Sequence, residues 1–167
     1  KLSLEEKNIR VKFDNRDKFK PGYKFNEYEL KGVPLRVAIG PKDIQNGTIE
    51  IARRDTLSKE VVGQNEIIGY VTSKLGQIQI DLFDKAKAFR KENITKVDDF
   101  KSFQEIINKK GGFVSAHWDG TNDSEEAIKK ATKATIRCIP LNNTKESGVC
   151  VYSGKPSNQR VLFAKSY

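Results

Sequence analysis

The chain has 167 residues, 37% of them apolar and 32% charged, and a net charge of +9. That length supports one ordinary domain or two small ones, and this balance of apolar to charged residues excludes a wholly disordered chain. No run approaches the roughly 18 apolar residues of a membrane helix. The two cysteines, Cys138 and Cys150, are too few for a disulfide framework, so a reducing, cytoplasmic setting is expected. The charge favours a polyanionic partner such as nucleic acid, because neutralised phosphates release counterions.

Taken in chain order, Ile9, Val11 and Phe13 alternate with Arg10 and Lys12, which predicts a half-buried strand. Pro21 and Gly32 bracket a short helix over 22–31. A second strand is expected from Val33 to Ile39, a helical turn from Lys42 to Asn46, and a third strand from Thr48 to Arg53. Over 66–92 the period changes. Ile67, Val71, Leu75, Ile78, Leu82 and Phe89 recur at helical spacing and predict one long amphipathic helix. Asp98 is read as the cap of a further helix carrying Phe100, Phe103, Ile106 and Ile107, stopped by Gly111-Gly112. Beyond it come a strand from Phe113 to Trp118, a helix from Glu125 to Lys133, and short strands near Ile136, Val151 and Leu162. The expected fold class is α/β: a mixed β-sheet layered with helices over residues 1–110, linking helix included, then a small α+β domain over 111–167.

Catalytic constellations are missing. The one histidine, His117, sits in an expected strand and reads as structural. Gly40-Pro41-Lys42 with Gly47 lacks the spacing of a phosphate-binding loop. Arg90-Lys91-Glu92 falls inside the long helix and reads as a solvated charge run. Four Asn-x-Ser/Thr matches, at Asn46, Asn93, Asn122 and Asn142, read as chance in an Asn- and Lys-rich chain. The charged start from Lys1 shows no secretory signal.

Several blocks resemble one family. Phe25-Asn26-Glu27-Tyr28-Glu29-Leu30-Lys31-Gly32-Val33-Pro34-Leu35-Arg36, running on to Asp43, is similar to the start of the anticodon-binding domain of prolyl-tRNA synthetases of the archaeal/eukaryotic-like type. Arg53-Arg54-Asp55, Thr135 to Pro140, Ser153 to Ser157 and the closing Phe163 to Tyr167 follow in that family's order. The resemblance implies the class II anticodon-binding fold and a ligase that joins proline to tRNA(Pro) with ATP and Mg. Its catalytic core would lie before Lys1, so this chain alone would bind RNA without aminoacylating it. It also implies a homodimer held mainly by that core, a monomeric fragment, and a natural C-terminus at Tyr167.

The resemblance assigns Phe25 to base stacking, Glu29 and Arg36 to guanine reading, and Lys59 to a further anticodon contact. Proline anticodons end in two guanines. Guanine offers O6 and N7 to an arginine, and N1–H and N2–H₂ to a carboxylate. Phe25 and Glu29, four apart, share a helix face that Arg36 of the next strand can approach. Arg53 and Arg54 are expected as phosphate contacts. Many relatives hold zinc with four cysteines; here those positions are Asp119, Ser124, Cys150 and Ser153, a poor set from which no bound metal is expected. Two other readings remain: the anticodon domain of a different class II synthetase, and a protein–protein interaction module. General single-strand binding would show stacking without base preference.

Overall fold

The structure is a computed structural model describing residues 1–166; the expectation placed on Tyr167 lies outside them. The residues form two compact units, one from Lys1 to Lys85 and one starting at Ala86. The division falls upstream of the expected 110/111 boundary. Strand β4 (Ile94–Lys96) pairs with β5 (Phe113–His117), and Val97, Phe103 and Ile107 are buried in the second unit's core. Apolar side chains follow the core that buries them, which no local composition shift signals.

The first unit opens with a short helix, α1 (Leu2–Glu5), then an irregular stretch to Lys20. The strand expected through Ile9, Val11 and Phe13 does not form: no neighbouring strand pairs with it, and Phe13 is exposed. Alternation alone does not make a ladder. The stretch is tied instead by Arg16, whose guanidinium bonds Asp14 at 2.6 Å and Glu27 at 2.6 Å. The Arg16 hydrogen bond holds the Asp14 carboxyl well below the usual carboxylate range.

Helix α2 (Pro21–Leu30) starts with proline, whose missing N–H costs nothing in a first turn. Strands β1 (Leu35–Ala38), β2 (Thr48–Arg53) and β3 (Lys59–Gly63) form one antiparallel sheet in that order. Between β1 and β2, α3 (Pro41–Asn46) ends on Gly47, whose φ of 65° is the left-handed conformation that glycine adopts at least cost. Pairing of Val37 with Ile51 and of Ile49 with Val62 puts an apolar row on one sheet face. Ile49, Ile51 and Val71 form the core, with Ile67, Tyr70 and Leu75 of α4 (Ile67–Glu92) packed against it. Lys74 of α4 bonds Glu60 of β3 at 2.9 Å. The expected apolar stripe of α4 is only partly buried, with Leu82 45% and Phe89 68% exposed. A 26-residue helix runs about 39 Å, whereas strands of four to six residues span roughly 20 Å. The helix therefore outruns the first core.

In the second unit, β4, β5, β9 (Arg160–Lys165) and β6 (Ala134–Cys138) form one sheet in that order. The β4–β5 pair is parallel and the others antiparallel, so the mixed pairing lies here. Helices α5 (Phe100–Glu105) and α6 (Asn122–Thr132) cover a core of Phe103, Val114, Ile128, Val161 and Phe163. A π-helical turn over Ile106–Lys110 extends α5. The cap of α5 is Asp99, which accepts from Ser102 N at 2.8 Å; Asp98 instead pairs with Arg160. The strand expected near Val151 is a turn, and the pairing nearby is between β7 (Gly148–Val149) and β8 (Pro156–Ser157). Gly148 is required there, since an added Cβ would lie 2.3 Å from the His117 ring.

Candidate nucleic-acid interface

The sheet face opposite the first core carries the charged row. Register places Arg36 of β1 beside Ala52 of β2, and Ala52 beside Lys59 of β3. A small residue between two long basic ones leaves a floor with basic walls. Helix α2 closes the third side, and the cleft is lined by Phe25, Glu29, Arg36, Ala52 and Lys59. The four residues expected at an anticodon site therefore share one cleft.

Arg36 is its centre. Its guanidinium carbon lies 3.7 Å from the centre of the Phe25 ring, a close cation–π stack. Its Nη1 donates to Glu29 Oε1 at 3.1 Å, and its Nη2 lies 3.9 Å from Glu50. Its buried Nε is, among the described residues, the one buried side-chain nitrogen or oxygen without a hydrogen-bond partner. Lys59 is exposed and lies 3.3 Å from Glu50. Phe25 is half-buried and Glu29 is 41% exposed, so both remain reachable from solvent. A planar cation on an aromatic face, with carboxylates at its rim, suits an unpaired base presenting a polar edge.

Arg53 lines the cleft but is held by carboxylates of the protein itself. Its guanidinium bonds Asp55 at 2.6 Å and Asp81 at 2.7 Å and is 10% exposed, so it braces the β2–β3 turn against α4. Arg54 is exposed, its backbone bonding Pro34 O at 3.0 Å. Leu57, which lines the cleft, and Glu50, which pairs with its basic side chains, escape sequence reasoning. Glu50 reaches the charged face because β2 alternates, but its meeting with Arg36 depends on strand register. Leu57 enters through the turn conformation, for which the sequence carries no signal.

In the second unit three of the four degenerate metal positions, Asp119, Ser124 and Ser153, form a hydrogen-bonded knot. Asp119 Oδ1 accepts from Ser124 Oγ at 2.6 Å and from the Thr121 hydroxyl at 2.8 Å. Asp119 Oδ2 accepts from Ser153 Oγ at 2.5 Å. Burial works to raise the Asp119 pKa, but these hydroxyl donors together hold it well below the usual range. Cys150 is buried, its backbone closing the turn by bonds with Lys155 and Gly154. One thiol, two hydroxyls and a carboxylate already occupied by donors do not fit a tetrahedral zinc site. Among the described residues no group of three or more His, Cys, Asp or Glu is placed to hold an ion. His117 is buried, with Nδ1 3.2 Å from Ser157 Oγ.

Residues 1–74 match the family described as "Anticodon binding domain", and residues 100–167 match "Prolyl-tRNA synthetase, C-terminal". The chain is 58% identical over 164 residues to a proline–tRNA ligase of Flavobacterium johnsoniae, covering 98% of this chain and 33% of that protein. It is 60% identical over 160 residues to the ligase of Flavobacterium psychrophilum, covering 96% of this chain and 32% of that protein. For the Cytophaga hutchinsonii ligase the identity is 54% over 165 residues, covering 99% and 34%. The chain thus spans about a third of the length of the curated relatives it matches.

Proposed function

We propose that this chain, which belongs to the prolyl-tRNA synthetase family as its anticodon-binding domain and C-terminal domain, reads the anticodon of tRNA(Pro). The observation that carries this is the convergence of Phe25, Glu29, Arg36 and Lys59 on one cleft within the residues matched to an anticodon-binding domain. Phe25 and the Arg36 plane offer a stacking platform for a splayed base. Arg36 donates toward guanine O6 and N7, and Glu29 accepts from guanine N1–H and N2–H₂. In the free chain the two side chains satisfy each other at 3.1 Å, and the base exchanges that ion pair for contacts to its own edges. Lys59 supplies attraction to the phosphates.

As part of a full-length, cytoplasmic enzyme the chain would serve proline attachment using ATP and Mg, with both bound by residues outside this chain. The C-terminal domain after the anticodon-binding domain supports the archaeal/eukaryotic-like type; the full-length enzyme would be a homodimer and this chain alone a monomer. A proline anticodon stem-loop should bind this chain in a salt-sensitive way, more tightly than a loop whose two guanines are replaced. Arg36→Ala should weaken binding by about 1–3 kcal/mol and blur discrimination against adenine. Equal binding of both RNAs by the wild-type chain, or an unaltered variant, would reject the reading. The chain by itself should show no proline activation.

A further inference from the structure

Leu57 is an anomaly of the cleft. Among the described residues three non-glycine positions have positive φ, namely Asn8, Leu57 and Lys133, and Leu57 (φ 58°) is the apolar one. The last residue of a tight hairpin loop in this conformation is ordinarily glycine or asparagine, because a Cβ crowds the carbonyl there. A leucine at such a position is unfavourable for folding and persists only where the surroundings over-determine it. They do so here. Asp55 grips the Arg53 guanidinium at 3.0 and 2.6 Å, Arg53 N–H donates to Ser58 O at 2.9 Å, and the Thr56 and Ser58 hydroxyls are 2.8 Å apart. The side chain so held buries little of its own surface, being 76% exposed. It lines the same cleft as Phe25, Glu29, Arg36 and Lys59.

We propose that Leu57 is a base-contacting residue, its side chain closing the open wall of the cleft against the face of an unpaired purine gripped by Glu29 and Arg36. This rests on the anticodon-reading function. It explains why an exposed apolar side chain stands at a strained position: stacking against a base removes its surface from water only in the complex. The ligand class is a splayed purine nucleotide of an RNA loop, and the contact is apolar, carrying no charge.

The test compares Leu57→Gly, Leu57→Ala and Leu57→Met by anisotropy titration with the proline anticodon stem-loop, alongside Lys59→Ala. Leu57→Gly relieves the left-handed strain and should raise the melting temperature by about 2–6 °C, yet weaken RNA binding about tenfold. Leu57→Ala should lose similar affinity without the gain in stability, and Leu57→Met should restore most of the binding. The slope of log Kd against log salt should be unchanged by all three, whereas Lys59→Ala should reduce it by about one. Leu57→Gly binding within twofold of wild type, while wild type still prefers guanine, overturns the Leu57 contact alone. A wild-type chain indifferent to the guanines overturns the anticodon reading and this contact together.

Discussion

Replacing Asp119 by alanine removes the acceptor that joins residues 119–124 to the turn carrying Ser153. Four donors lose this acceptor: Ser124 Oγ, the Thr121 hydroxyl and backbone N–H, and Ser153 Oγ; Thr121 O at 3.0 Å remains for Ser124 Oγ, and Ser124 Oγ at 3.0 Å for the Thr121 hydroxyl. Ser153 is exposed, so water replaces its bond at little cost. Ser124 is 4% exposed, and its bond and that of the Thr121 hydroxyl go to a charged acceptor. At about 1.5 kcal/mol each, offset in part by those alternative acceptors, the loss is up to about 3 kcal/mol. In a domain of this size that lowers the melting temperature by up to about 12 °C. Asp119→Asn keeps one acceptor oxygen and should cost about half as much. The single tryptophan, Trp118, donates to Ser124 Oγ at 3.0 Å, so its fluorescence during urea unfolding reports this unit. The folded pKa of Asp119 lies below its unfolded value. Its stabilisation is therefore present above the unfolded pKa near 4 and lost as pH falls through and below it. The gap between wild type and Asp119→Asn should narrow as pH falls from 7 to 3 and close only below the folded pKa. A difference under about 0.5 kcal/mol for the alanine variant, within the scatter of surface substitutions, would refute the argument. So would a gap independent of pH, or stoichiometric zinc in the purified chain.

Ala52→Leu should fill the floor between Arg36 and Lys59, abolishing selective binding of the anticodon stem-loop while circular dichroism stays native. Arg160 is 8% exposed on its side chain and bonds Val97 O at 2.9 Å and Glu146 at 3.1 Å, besides Asp98. Arg160→Ala should destabilise the second unit by about 2 kcal/mol in urea titration, since it leaves the Val97 carbonyl without its donor and removes the cation shared by Asp98 and Glu146, although Glu146 keeps Lys96. Arg160, with Lys96, lowers the Glu146 pKa to about 2, so this contribution too fades as pH falls below the ordinary glutamate range. Gly148→Ala drives a methyl into the His117 ring, and a loss of about 2 kcal/mol is expected in the same titration.

Elements whose signals are local were legible without coordinates. Pro21, Gly32 and Gly47 punctuate α2 and α3, and the 3.6-residue period marks α4 from end to end. Elements that depend on a partner were not. Ile9 to Phe13 alternates and finds no pairing strand, whereas Ile94–Lys96 becomes a strand because Phe113–His117 lies parallel beside it. Asp98 and Asp99 are equivalent as cap candidates until Arg160 takes the first.

The same division runs through the cleft. The chain's order of residues already put Phe25 and Glu29 on one helix face and Arg36 on the next strand, because i and i+4 coincide on any α-helix. Beyond the resemblance that named Lys59, tertiary structure decided that Lys59 and Glu50 stand beside them, that Arg53 is held by Asp55 and Asp81, and that Leu57 stands at the rim. Each of these depends on strand register or turn conformation, and register is fixed by the buried face of a sheet, where Ile49, Ile51 and Val62 must point together.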